Sequence, residues 1–254
     1  MTQTGGMNFR DLGGLRTKDG RRISKSRIFR SGRLTGFAPN DFSQITKLGI
    51  RSIFDLRSTN ERLKHPGPDS DQWHGNYVGV AIDADIRAKT SLFSPLVENP
   101  TPSGARAVMS SIYRSFPETF SPHLRHFFDG LINGGTPLII HCTAGKDRTG
   151  FVVAILLSAL GILDDDVFDD YLLSSQVMSL KELYDEVSDL LTSRIGHPPS
   201  REVVETILGV DRQYLQASFD EIHRTCGSIG AYLQSSRIDH AQIVELQSLF
   251  LESR

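Results

Sequence analysis

Apolar positions change their spacing near residue 150. Before it, short runs rich in Ile, Val and Phe recur as "RIFRS" (27–31), "SIFDLR" (52–57), "YVGVAI" (77–82) and "PLIIHC" (137–142). Runs of five or six such residues between turn formers predict strands. Amphipathic stretches lie between them. "NDFSQITKLGI" reads as a helix with Asn40 as cap and Gly49 as stop. "SGARAVMSSIYRSF" and "FSPHLRHFFDGLINGG" predict two further helices, the second ending at Gly134 and Gly135. Strand, helix and strand in succession predict an α/β fold: a mainly parallel, twisted sheet flanked by helices.

After Gly150 the pattern is helical throughout. Asp164 or Asp165 caps a helix to about Ser174, and another covers roughly 176–195. "GHPPSREVV" breaks the chain and restarts it with Ser200 as N-cap. Asp211 opens the next helix and Gly227 closes it, while Asp239 and Gln242 have capping-box spacing for the last. The expectation is one domain over residues 1–254, with a helical carboxyl-terminal part.

Composition changes this picture little. Net formal charge is −2, which gives no reason to expect a nucleic-acid partner. Residues 1–33 are locally cationic, with nine Lys or Arg against two Asp. The two cysteines, Cys142 and Cys226, are too few for a disulfide framework or a four-thiolate zinc site. No apolar run approaches the length of a membrane span. The amino terminus lacks the apolar core of a conventional secretory signal.

The chemistry sits in "HCTAGKDRTG", residues 141–150. A buried strand ends at His141, and a helix is predicted to start near Arg148 or Thr149. Unpaired amides at a helix amino terminus, together with the helix dipole, favour an anion there. Gly145 and Gly150 allow close approach or a positive φ. Arg148 offers a planar fork matched to two phosphate oxygens, and Lys146 adds a second cation. Helix amino termini and cations favour ionisation of a thiol, so Cys142 is expected to be a thiolate nucleophile. Thr149 is placed to donate to that sulfur when it later leaves, and His141 to hold the loop shape. Competing motifs fail on spacing. A Walker loop requires Ser or Thr after Gly-Lys, whereas Asp147 follows here, and His141 with Cys142 alone is too small a set for zinc.

The segment matches the C-x5-R-[ST] signature of cysteine-dependent phosphatases. "NFRDLGGLRTKDGRRISKSRIFRSGRL", "LGIRSIFDLRSTNER" and "GVDRQYLQASFDEIHRTCGSIGAYL" extend the likeness along nearly the whole chain, which resembles the atypical bacterial protein tyrosine phosphatase family. That resemblance implies Cys142 as nucleophile and Arg148 as phosphate clamp. It makes Thr143, Ala144, Gly145, Lys146, Asp147 and Arg148 the phosphate cradle, and assigns Thr149 to breakdown of a phosphocysteine. It implies phosphotyrosine proteins or peptides and phosphoinositides as substrates, the latter with contact to a membrane surface, and no metal or other cofactor. Some members are exported without a conventional signal, so the chain is expected to be cytoplasmic or exported in that way. No feature specifies an oligomeric state.

The general acid has two candidates. Asp83 follows a predicted strand, where a parallel sheet presents functional loops, and is favoured; Asp85 lies beside it. Asp147 is in the loop, where a carboxylate facing a dianion must be protonated or turned away. Arg10, Asp11 and Arg57 either flank the phosphate loop or serve structure, Asp11 by stabilising a turn. Asp55 reads as structural, and Ser58 with Glu61 as a purely structural capping box. The family resemblance also implies a helical lid at 180–210, against the plainer reading of a packed helix pair. The alternatives are a phosphate-binding pseudophosphatase and a rhodanese- or arsenate-type enzyme.

Overall fold

The computed structural model describes residues 8–34, 46–67, 73–80, 82, 90–177 and 181–253. The calls on Asn40, Asp83 and Asp85 lie outside them. Five strands form one sheet: β1 (Arg10–Asp11), β2 (Ile28–Ser31), β3 (Ser52–Asp55), β4 (Asn76–Gly79) and β5 (Leu138–His141), in the order β1-β2-β5-β3-β4. Only β1 pairs antiparallel; β2, β5, β3 and β4 are mutually parallel, with Ser31 and Asp55 both opposite His141. The predicted strands thus form the predicted sheet. β5 is central and fully buried.

Alternation along the strands divides the core. Ile28, Phe54, Leu138 and Ile140 face the larger cluster, while Phe29, Ile53 and Ile139 face a smaller one with Ile50 and Trp73. Period-two side chains on a sheet covered on both faces require this pattern.

Helix α1 (Thr59–Lys64) follows β3, and α2 (Ser94–Glu98) precedes α3 (Pro102–Asn133). α3 is one helix of 32 residues, not the two expected from sequence. Pro117 and Pro122 lie within it. A proline removes the N–H that would bond the carbonyl four residues earlier. For Pro117 that carbonyl belongs to Tyr113, and the buried Ser218 hydroxyl donates to it at 2.6 Å. The side chains of Val108, Ile112, Phe116, Phe120, Leu124, Phe127 and Leu131 are buried along one stripe, each worth about 1.5–3 kcal/mol on transfer from water. A distant serine and a long apolar face therefore offset the proline.

α4 (Asp147–Leu160) leaves the sheet at β5 and is apolar on nearly all sides, as a central helix must be. It begins slightly earlier than expected and ends at Gly161, φ +84°. α5 (Asp164–Leu172) has Leu163 at its N-cap with no side-chain bond, so Asp164 and Asp165 lie in its first turn rather than capping it. After the short α6 (Ser174–Val177) come α7 (Lys181–Ile195) and α8 (Arg201–Leu208). α9 (Arg212–Cys226), α10 (Ile229–Ser235) and α11 (His240–Phe250) complete the carboxyl-terminal part. Ser200, Asp211 and Asp239 cap α8, α9 and α11 as the sequence predicts, the last in a capping box with Gln242. Among the described residues no helix is long and apolar enough to cross a membrane.

Candidate active site

β5 delivers Cys142 to the carboxyl edge of the sheet, and α4 starts five residues later. The loop between them is pressed against β2. Gly145 has φ +70°, and a Cβ there would lie 2.4 Å from the Ser31 carbonyl group and the Gly32 nitrogen. No other residue fits without moving backbone. Gly150 has a different reason: the Tyr171 ring passes 2.9 Å from where its Cβ would be. The Arg33 amide donates to Thr143 O at 2.9 Å, and Leu56 N donates to His141 O at the same distance.

Behind the loop lies a buried ionic cluster. Arg30 donates to the Gly145 carbonyl at 2.7 Å and to Asp170 at 2.5 Å, and Asn8 donates to the same carbonyl at 2.7 Å. Arg10 reaches Asp170 Oδ1 at 2.8 Å and also bonds Asn8 Oδ1. These donors, Arg30 and Asn8, fix the Gly145 carbonyl from behind the loop. Burial alone would raise the Asp170 carboxyl, but Arg30 and Arg10 outweigh it and hold it below the usual range. Burial and the neighbouring Arg30 bring Arg10 down to about 10.

Beneath the loop, Asp55 is fully buried and accepts from Arg57 and from the Tyr77 hydroxyl. Burial pushes its carboxyl up, yet His141, Arg57 and Tyr77 together lower it. His141 stacks no charge here: burial lowers it to about 4 against the opposing pull of Asp55. Its Nδ1 lies 3.3 Å from Cys142 O, and its Nε2 3.6 Å from Asp55.

In front, Arg148 donates through both terminal nitrogens to Glu61, at 2.6 and 2.7 Å. Thr143 donates its hydroxyl to the same carboxylate at 2.5 Å. Burial would raise Glu61, but the bonds from Arg148 and Thr143 place it well below the usual carboxylate range. Burial works against the Arg148 cation, yet the Glu61 bonds and the nearby Cys142 raise it above its ordinary value. Cys142 is buried, and Thr149 Oγ1 is buried with no hydrogen-bond partner among the described residues.

A cavity of about 140 Å³ opens onto Cys142, Thr143, Ala144 and Arg148. Its walls include Phe93, Met109 and Ile112, and its roof is α7, through Leu183, Val187 and Leu190, with Ile207 and Leu208 of α8. Glu186 on α7 pairs with Arg33 at 2.9 Å. α7 and α8 thus line the same cavity as the cysteine.

The remaining sequence candidates have these partners. Lys146 directs its ammonium to Ile207 O and Gly209 O, at 2.7 and 2.8 Å, where the carbonyls ending α8 attract a cation. Asp147 accepts from Tyr113 at 2.8 Å and lies 3.2 Å from the Lys146 nitrogen. Arg10 and Arg57 stand behind and beneath the loop, held by Asp170 and Asp55 rather than facing the cavity. Asp11 accepts from the Gly13 and Ser26 amides, a turn-stabilising use. Glu61 forms the capping box and also contacts the loop through Thr143 and Arg148. Arg30, Asp170, Asn8 and Tyr113 gave no motif, because their partners are far away in sequence. Among the described residues, no three His, Cys, Asp or Glu side chains converge as metal ligands.

Residues 1–252 match the tyrosine phosphatase family. The chain belongs to that family. It is 31% identical to the triple specificity protein phosphatase PtpB of Mycobacterium tuberculosis, over 97% of both chains. It is 32% identical to an inferred tyrosine-protein phosphatase of Cupriavidus necator, over 93% of this chain and 84% of that one. A tyrosine-protein phosphatase of Nostoc commune is 25% identical over 58% of this chain. The fold, a five-stranded mostly parallel sheet with flanking helices, is that expected of this family.

Proposed function

We propose that this phosphatase hydrolyses phosphomonoesters through a phosphocysteine on Cys142. The carrying observation is Cys142 at the end of the central strand, directly before the α4 amino terminus, with Arg148 fixed at the cavity wall. The thiolate attacks phosphorus in line; the S–P bond forms and the bond to the leaving oxygen breaks. Loop amides and Arg148 stabilise the charge on the equatorial oxygens. Asp83 protonates the leaving oxygen, while Asp147, engaged by Tyr113 and Lys146, shapes the site. Water then attacks phosphorus and the S–P bond breaks. The unpartnered Thr149 hydroxyl is available to donate to the departing sulfur.

The first substrate class is phosphotyrosine in proteins or peptides. The apolar walls around Phe93, Met109 and Ile112 suit an aryl ring above the buried thiol. Broader specificity, including phosphoserine, phosphothreonine and phosphoinositides, is supported by the name of the M. tuberculosis relative and by Lys146, once it is released from α8 toward a second phosphate. α7 and α8 form a lid that shields the thiol and admits slender substrates.

The test is p-nitrophenyl phosphate hydrolysis in EDTA, with phosphopeptides and phosphoinositides assayed alongside. Wild-type turnover and its abolition in Cys142→Ser are expected. Tight phosphopeptide binding without turnover in the wild type would instead mark a binding module.

A further inference from the structure

We propose that Tyr113 is a positioning residue for substrate binding: its hydroxyl holds the Asp147 carboxylate to the side of the phosphate cradle, so that an acid sits next to Arg148 without repelling the anion. This rests on the phosphocysteine reading and adds to it a residue of α3, outside the loop motif. The surroundings of Tyr113 are aromatic. Its ring centre lies 4.7 Å from that of Phe116, 6.0 Å from Tyr171 and 5.8 Å from Tyr214. Tyr113 and Tyr171 are both fully buried. Phenylalanine would fill the same space, and burying a hydroxyl is costly unless it finds a partner. Both hydroxyls find theirs along one chain of bonds that ends at the loop. Tyr171 donates to the Tyr113 oxygen at 2.9 Å, and Tyr113 donates to Asp147 Oδ1 at 2.8 Å.

The far end of this chain fixes its direction. A carboxylate only accepts, so Tyr113 gives Asp147 its single proton, and Tyr171 supplies the bond to the Tyr113 oxygen. Burial, with Asp147 nearby, raises both phenols above their ordinary value, so each keeps the proton it donates. The same Oδ1 lies 3.2 Å from the Lys146 ammonium, which also donates to the carbonyls of Ile207 and Gly209. Two donors thus draw one Asp147 oxygen toward α3 and the end of α8. The side chain nevertheless lines the cavity with Cys142 and Arg148, and is 26% exposed.

A half-buried aspartate at a cavity wall has more than one rotamer. Turned toward the cradle, its charge would stand close to a bound dianion. At the effective dielectric of such a site, that repulsion changes an equilibrium constant by about tenfold or more. One hydroxyl from the core opposes the turn. The repulsion would act on the phosphate in the ground state and the transition state alike, so the contribution of Tyr113 belongs in KM and in product affinity rather than in kcat.

Tyr113→Phe removes only the hydroxyl. Saturation kinetics with p-nitrophenyl phosphate should show KM raised about tenfold, with kcat within about threefold of wild type. The Kd for inorganic phosphate, read from the phosphate-dependent rise in melting temperature, should increase by the same factor. Asp147→Asn supplies the background that isolates the cause, because a neutral amide does not repel the anion. There Tyr113→Phe should change phosphate affinity by less than about twofold. A full loss that persists beside Asp147→Asn overturns the proposal, since the hydroxyl would then act on the fold and not through the carboxylate. Wild-type phosphate affinity in Tyr113→Phe overturns it as well. If Tyr113→Phe does not fold, Asp147→Asn alone decides. A carboxylate already facing the anion would make that variant bind phosphate about threefold tighter or more, which sinks the proposal, whereas a smaller gain supports it. Cys142→Ser separates the two claims. Turnover in that variant sinks the phosphocysteine reading and leaves the phosphate affinities, which need no turnover, to judge Tyr113.

Discussion

Behind the loop after β5, Arg10, Arg30 and Asp170 surround a backbone carbonyl; in front of it, Arg148 and Glu61 line the cavity. The same chemistry, arginine against carboxylate, serves both regions. The difference lies in exposure and in what the arginine has left over. Arg30 and Asp170 are 0% and 5% exposed, and Arg30 meets the loop through Gly145 O. Arg148 and Glu61 are 12% and 15% exposed at the mouth of the site, with the Nε edge of the arginine still available. A buried pair fixes a conformation and is strongly disrupted when one partner is removed. A pair at a cavity wall can hold a group and leave it reactive.

The sharpest way to break this contrast is Asp170→Asn. Arg10 and Arg30 would then be buried beside a neutral amide, at a cost of about 3–5 kcal/mol of stability. Urea unfolding should show it as a lowered midpoint, and activity should fall with the folded fraction. A loss below about 1 kcal/mol would place the rear cluster among ordinary surface pairs.

Arg148→Lys is the matching change in front. Lysine lacks the planar fork, so kcat should drop about 100- to 1,000-fold, while the unfolding midpoint moves far less than in Asp170→Asn. If the two variants showed similar midpoints, the front pair would also be structural and the contrast would fail.

A third test reaches His141, which lies beneath both regions. Its folded-state pKa is lowered from 6.5 to about 4. The unfolded chain therefore binds more protons between those values, and the stability this group contributes is complete above pH 6.5 and is lost as pH falls toward 4. The loss approaches about 3 kcal/mol. His141→Asn should flatten that part of the stability–pH curve; an unchanged slope would place the lost protons elsewhere.

The four main strands, the turn from β5 into α4 and the caps at Ser200, Asp211 and Asp239 were legible in sequence, because each is specified by residues close together in the chain. The partners that fix the loop were not. Asp170 lies 140 residues from Arg30, and neither belongs to a motif. Glu61 was hidden for the opposite reason: Ser58 three residues before it accounted for it locally, so nothing called for a second use. Lys146 was read as a second cation for phosphate, and the end of α8, some 60 residues on, supplies its nearest oxygens. Arg10 and Arg57 had two readings; each pairs with a buried acid, Asp170 and Asp55.

Pro117 and Ser218 carry a lesson about synthesis order. The hydroxyl that completes the long helix at Tyr113 is made a hundred residues after the proline that interrupts it. On the ribosome the two halves of that helix emerge with an unsatisfied carbonyl between them, exposed to water until α9 arrives. A chain cut before α9 would therefore lose more than its own terminal contacts: the central strut of the domain would bend or fray at its midpoint.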